Sequence, residues 1–297
     1  NNTLVAYNKR GELLWTYSIE KKQKSKIKDY KLSRDGKYTV VAVSEEGLFG
    51  LESHFILLRD GVVEWVKSGK GETEDIAISP NNEYVVSASY DRDKGITYVT
   101  LYTIKGAELW TTTVKGFLSS DFYVSDNGEV LLSRSYFVGS NLFMKLYFIS
   151  EGRVLWTKAD CSMAQFTRSG DRIIAFAKSD DWSISVFDRE GELLWKYQGV
   201  FHYVVSDNYY VLMDNKGVVL ASAEGEVLQR IELSEWVKRQ LTIWNVYNTI
   251  SPDGRFFATS IRDDSKRMCY LYFFENRDFL IRVKERLLKE IDELIKR

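Results

Sequence analysis

A five-residue pattern, Gly-x-x-x-Trp, recurs along this chain and sets its period. It reads Gly11-Glu12-Leu13-Leu14-Trp15, Gly61-Val62-Val63-Glu64-Trp65, Gly106-Ala107-Glu108-Leu109-Trp110, Gly152-Arg153-Val154-Leu155-Trp156 and Gly191-Glu192-Leu193-Leu194-Trp195. A further copy, Gly225-Glu226-Val227-Leu228-Gln229, ends in Gln. Successive Trp positions lie 50, 45, 46 and 39 residues apart, and Gln229 follows Trp195 by 34. Self-similarity at this period means stacked supersecondary units, each unable to bury its apolar face alone. The 297 residues would also fit two average domains, but a repeat array is the exception to that length rule.

Aligning on the Trp shows what one unit contains. Residues 164–166 form a short apolar strand and Arg168-Ser169-Gly170-Asp171 a turn; residues 172–177 are a second strand, and a loop follows at 179–181. Residues 183–187, the turn Arg189-Glu190-Gly191 and residues 193–197 complete a four-stranded meander. The Gly, Asn and Asp in each turn supply the positive φ that tight hairpins need. First-to-second-strand turns recur as Ser33-Arg34-Asp35-Gly36, Ser79-Pro80-Asn81-Asn82, Ser125-Asp126-Asn127-Gly128 and Ser251-Pro252-Asp253-Gly254. Four antiparallel strands in ~40 residues make a β-propeller blade.

Five complete blades begin near residues 27, 74, 120, 162 and 200, and a sixth begins near 246 with three strands. The hairpin at residues 4–17 reads as a third and fourth strand without the first two. It closes the ring by completing the last blade, or forms a partial seventh, because an open blade leaves an unpaired edge. The expected architecture is all-β, a propeller over residues 1–275 with six blades favoured and seven open. Only two prolines and 14% aromatic residues agree with it. In the repeat, Gly makes the turn and Trp packs its apolar face between adjacent blades.

The pattern resembles known families. Gly-x-x-x-Trp in a fourth strand is similar to the docking motif of pyrroloquinoline-quinone-type propellers, and the Ser-Pro-Asp-Gly turns look like WD40 and TolB-type repeats. The likeness runs over residues 4–274 and specifies blades, not chemistry. The quinone family's motif carries Ala-x-Asp-x-x-Thr before the Gly, whereas here Asp188 precedes Gly191 by only three. Quinone enzymes look eight-bladed, so six units argue against a bound cofactor. Non-catalytic members act as assembly scaffolds or surface proteins, which is what the resemblance implies.

Strand direction alternates within a blade, so first–second and third–fourth turns share one rim. Second–third loops and inter-blade connections share the other. Longer loops collect on the second rim, at residues 44–53, 90–96, 135–141, 179–182 and 262–266, with connections at 19–27 and 233–245. Function concentrates on such loops. They hold the acidic pairs Glu45 and Glu46, Asp91 and Asp93, Asp180 and Asp181, and Asp263 and Asp264. These are candidates for a basic partner or a cation, or are solvated turn formers. Asp91-x-Asp93-x-Gly95 echoes part of a calcium loop without the closing Glu. Trp182, Trp236 and Trp244 lie outside the repeat on the same rim, where an exposed ring stacks on sugars or anchors a partner, or pins a connection to the ring. The run from Lys21 to Lys28 is a phosphate- or acid-facing cluster, or a solvated loop.

Chemistry is sparse. His54 and His202 are the only histidines, and no spacing of Cys and His suits a metal. No nucleophile elbow, phosphate loop or dinucleotide fingerprint occurs. No cofactor and no metal are expected; a carboxylate pair is the one catalytic arrangement left open. Net charge is −1, so nothing global suggests nucleic acid or an anionic membrane. Cys161 and Cys269 read as buried thiols rather than a disulfide. No apolar run is long enough to span a bilayer. Abundant Lys and Glu with five Gln resemble thermophile composition, in keeping with an archaeal source. The sequence opens at Asn1 in mid-repeat, and both ends read as cut from something larger.

From residue 276 the period changes. Leu280, Leu287 and Leu294 recur every seven residues beside Ile281, Leu288 and Ile295, which is an amphipathic helix over 276–297. It either docks on its own propeller or pairs with another chain. The resulting expectation is a non-catalytic scaffold for protein assembly, binding through the long-loop rim and presented outside the cytoplasm or on a membrane-anchored chain. A carbohydrate-binding module, and a hydrolase or lyase using rim carboxylates, are the alternatives.

Overall fold

A computed structural model describes residues 2–19, 25–47, 50–116, 120–138, 141–167, 169–177, 182–206, 208–214, 216–232, 246–251, 255–263 and 268–275. All regular structure among them is β-strand. The amphipathic helix expected at 276–297 lies outside the described residues. The chain divides into two compact units, Asn1–Phe166 and Thr167–Arg297.

The hairpin β1 (Thr3–Tyr7) and β2 (Leu13–Ser18) is a sheet of its own. Next come four-stranded sheets paired in chain order: β3 (Lys26–Leu32), β4 (Tyr38–Gly47), β5 (Gly50–Arg59) and β6 (Val62–Lys70), then β7 (Glu72–Ile78), β8 (Tyr84–Asp91), β9 (Ile96–Thr103) and β10 (Glu108–Lys115). The third holds β11 (Ser120–Val124), β12 (Val130–Val138), β13 (Asn141–Ser150) and β14 (Arg153–Ala159). The fourth holds β15 (Cys161–Phe166), β16 (Ile173–Ala177), β17 (Ser183–Phe187) and β18 (Leu193–Gln198). The fifth holds β19 (Val200–Val205), β20 (Tyr209–Asp214), β21 (Gly217–Ser222) and β22 (Val227–Glu232), and a three-stranded sheet holds β23 (Val246–Ile250), β24 (Phe256–Asp263) and β25 (Met268–Glu275). The first strands start within two residues of the positions read from the repeat.

Inner and outer strands differ in sequence for a physical reason. Middle strands such as β16, β17, β20 and β21 are buried along their whole length, on both faces. Fourth strands alternate between exposed and half-buried residues, because only one face is covered. The core therefore lies between sheets. Val40, Ala42, Phe55 and Leu57 meet Ile76 and Val85, and Val86, Val99 and Leu101 meet Phe122, Val130 and Leu132. In the second unit Ile174, Ile184 and Val186 meet Tyr210, Leu212 and Val219.

The Trp motif does what the repeat implies. A Cβ added at Gly61 would lie 2.6 Å from Trp15, one at Gly106 2.9 Å from Trp65, and one at Gly225 2.7 Å from Trp195. Each of these three Trp residues thus covers the motif Gly of the next sheet. The Trp65 indole N–H donates to the Ile104 carbonyl at 2.9 Å, and that of Trp195 to the Ala223 carbonyl at 3.0 Å. Both acceptors stand two residues before the covered glycine.

Candidate functional site

Backbone bonds confirm the two rims. On the turn side, the Asp60 N–H donates to the Lys37 carbonyl at 2.9 Å and the Ile104 N–H to that of Glu83 at 2.7 Å, tying third–fourth turns to first–second turns. On the loop side, the Gly116 N–H donates to the Gly95 carbonyl at 2.7 Å, and the Val200 N–H to that of Trp182 at 3.0 Å. Inter-sheet connections there meet the second–third loops.

A cleft of about 430 Å³ opens on the loop rim of the first unit. Leu51 comes from the start of β5, Gly71 from the one-residue connection between β6 and β7, Glu72 from the start of β7, Tyr90 and Asp91 from the end of β8, and Arg92 and Asp93 from the loop after it. Gly71 is required here. Its φ is +86°, and a Cβ would fall 2.0 Å from the Tyr90 carbonyl oxygen, which backbone cannot yield.

The charges divide by exposure. Side chains of Glu72 and Asp91 are each 16% exposed, whereas those of their cations Arg92 and Lys94 are 71% and 57% exposed. Arg92 Nη2 lies 2.7 Å and Lys28 Nζ 3.3 Å from the Glu72 carboxylate. Burial opposes ionisation of Glu72, but the hydrogen bonds from Arg92 and Lys28 outweigh it and hold the group below the usual carboxylate range. Asp91 is held low chiefly by its hydrogen bond from Lys94, with Nζ at 2.9 Å. The Lys94 backbone N–H donates to the same carboxylate at 3.2 Å, so Asp91 organises its own loop. Asp93 stands exposed at the cleft mouth.

Of the other residues singled out in the sequence, Trp182 is half-buried. It stacks on Phe176 at 4.8 Å between centroids, and Phe176 in turn stacks on Tyr203. Glu45 meets the His54 ring at 3.3 Å. Asp180, Asp181, Trp236, Trp244 and Asp264 lie outside the described residues, as does the side chain of Asp263. Lys28 is the part of the basic run that reaches the cleft. Cys161 is buried. Among the described residues no group of three metal-ligating side chains gathers, and no helix is long and apolar enough to cross a membrane.

The repeat reading missed Glu72 and Arg92, and it missed a second cluster on the first strands. Asp29 on β3 and Asp75 on β7 each follow a register shift in their strand. Lys31 Nζ lies 2.8 Å from Asp29 Oδ2 and 3.8 Å from Asp75 Oδ1. The signal was present: the two aspartates are 46 residues apart, the offset between the turn serines Ser33 and Ser79.

The sequence profile described as outer membrane protein assembly factor BamB matches residues 96–235. No curated protein matches the chain. Among solved structures, one titled as a mitotic checkpoint complex aligns with a TM-score of 0.56 at 12% identity, covering 92% of this chain and 81% of that one. One titled as a eukaryotic initiation factor aligns at 0.51 with 12% identity and the same coverages. Pyrococcus horikoshii acylaminoacyl peptidase aligns at 0.50 with 11% identity, over 84% of this chain but only 45% of that one. At these identities the likeness is one of fold. The fold is that of a β-propeller, and residues 96–235 resemble the PQQ-like repeats of that profile.

Proposed function

We propose that this propeller is a non-catalytic scaffold that holds a protein partner on its loop rim, at the cleft between Leu51, Glu72 and Asp93. The observation that carries the reading is the contrast between rims: short hairpins on one side, and on the other a cleft offering apolar surface at Leu51 and exposed charge at Arg92 and Asp93. Loops held on a rigid frame are where recognition resides, and the match to an assembly-factor profile supports the same class. We further propose Asp180, Asp181, Trp182, Trp236, Trp244, Asp263 and Asp264 as binding residues. The tail at 276–297 either docks in cis or pairs with another chain. The composition accords with a thermophilic source, which a melting temperature above ~90 °C would support.

A photo-crosslinking residue at Asp93, used in the native host, should yield one dominant protein adduct. The purified partner should then bind wild type, but not Asp93→Lys, at equal melting temperature. Hydrolysis of an ester or glycan panel that is lost on removing a cleft carboxylate would overturn the scaffold reading in favour of the enzyme one. Specific glycan binding lost on replacing Trp182 would favour the carbohydrate module instead.

A further inference from the structure

We propose that Asp29, Lys31 and Asp75 form a proton-loaded joint between the first two four-stranded sheets, closed while Asp75 carries its proton and loosened when it gives that proton to solvent. The inference stands apart from the partner-binding reading and does not need it.

The geometry puts two carboxyl groups under one ammonium. Asp29 and Asp75 occupy equivalent places on β3 and β7, and each accepts the next residue's backbone N–H at 2.8 Å, from Tyr30 and Ile76. Lys31 sits close to Asp29 and only loosely over Asp75. With both acids ionised the trio carries a net charge of −1 in a joint where Asp75 is the most covered group. With Asp75 protonated its O–H donates to the Asp29 carboxylate, Lys31 neutralises Asp29, and the net charge is zero.

The surroundings give Asp75 little other help. Ala42 of β4 pairs with Asp29, Ala88 of β8 pairs with Asp75, and Phe55 and Leu57 of β5 share a core with Ile76. Glu74, next on β7, accepts the Thr97 hydroxyl at 2.8 Å. Asp121 on β11, the other neighbouring first strand, has its side chain outside the described residues. Burial is the largest influence on Asp75; the Ile76 N–H and Lys31 oppose it, Asp29 adds to it, and the group is pushed up to about 7.

The sign follows from linkage. Folded Asp75 holds its proton up to a higher pH than the unfolded chain does, so stability falls as pH rises from about 4 to about 7 and then levels. The test is the melting temperature of the full chain from pH 5 to pH 9, read as wild type minus Asp75→Asn. This difference cancels other groups such as His202, whose buried imidazole contributes with the opposite sign. It should fall by roughly 5 °C between pH 5 and about pH 7 and stay level from there to pH 9. Lys31→Met should move the midpoint up and Asp29→Asn should move it down. Should Asp75→Asn fail to fold, carbon-13 titration of the Asp75 carboxyl in wild type decides, with a midpoint near 7 expected. A midpoint near 4, or a difference flat with pH, overturns the joint.

Discussion

Two buried aspartates, one in each unit, take opposite states. Asp214, at the end of β20, is 5% exposed yet is held below the usual carboxylate range. Asp75, largely covered and beside a like charge, is pushed above it. The difference lies in the donors. Burial opposes ionisation of Asp214, but Arg230 Nη1 at 2.9 Å, the Lys216 and Gly217 amides at 2.8 and 2.9 Å and the Tyr197 hydroxyl at 3.0 Å outweigh it. Asp75 has one amide, a lysine at 3.8 Å and a like charge beside it. Degree of burial alone does not set the charge of an acid; the donors brought to its oxygens do.

The comparison breaks most severely if Asp214 loses its cation. Arg230→Met leaves a buried carboxylate with amide and hydroxyl donors only, at a cost of about 2–4 kcal/mol in denaturant unfolding. Asp214 should then behave more like Asp75 and take up a proton at higher pH. A variant as stable as wild type at pH 8 would mean that the amides and Tyr197 suffice without the guanidinium.

The pH responses of the two regions should differ in sign. The depressed Asp214 contributes stability above the unfolded carboxylate pKa of about 3.9, and that contribution is lost as pH falls through its folded value. Hydrogen exchange, corrected for intrinsic rates, should show β20 losing protection below about pH 4 while β7 loses it on rising towards pH 7. Parallel profiles would show that the two carboxylates are not the controlling groups.

Tyr197→Phe is a gentler cut. It removes one hydroxyl donor reaching Asp214 from β18, on the preceding sheet, and should cost about 1–2 kcal/mol. The pH at which β20 loses protection should move up. An unchanged acid limb would confine the Asp214 charge balance to its own sheet.

How much of this was readable beforehand follows from what repeats. Sheet starts, the two rims and Trp docking were legible because each recurs at the same offset and answers one need, covering the next sheet's glycine. Asp75 and Asp214 were not, because each state depends on partners set by three-dimensional approach: Lys31 from β3 in one case, Tyr197 from β18 in the other. Apolar content also misleads locally. Leu13 and Leu14, inside the most regular motif, are each 60% exposed, since outer strands cover one face only. The cleft combined both cases. Asp91 and Asp93 stood out as a loop pair, whereas Glu72 and Arg92 become neighbours only when the connection after β6 meets the loop after β8.

Glu72 supplies a third carboxylate between the extremes, and the smallest effect. It is mostly covered, like Asp75, but ionised, like Asp214, through cations on exposed arms. Arg92→Ala removes one arm and leaves Lys28 at 3.3 Å, so stability should fall by less than about 1 kcal/mol, the usual worth of an exposed ion pair. Partner affinity should change far more, because Arg92 stands at the mouth of the cleft. A loss of stability like that of Arg230→Met would make Arg92 a structural residue. Unchanged stability with at least tenfold weaker binding of the partner captured at Asp93 would mark the rim as a surface whose charges serve contact rather than folding.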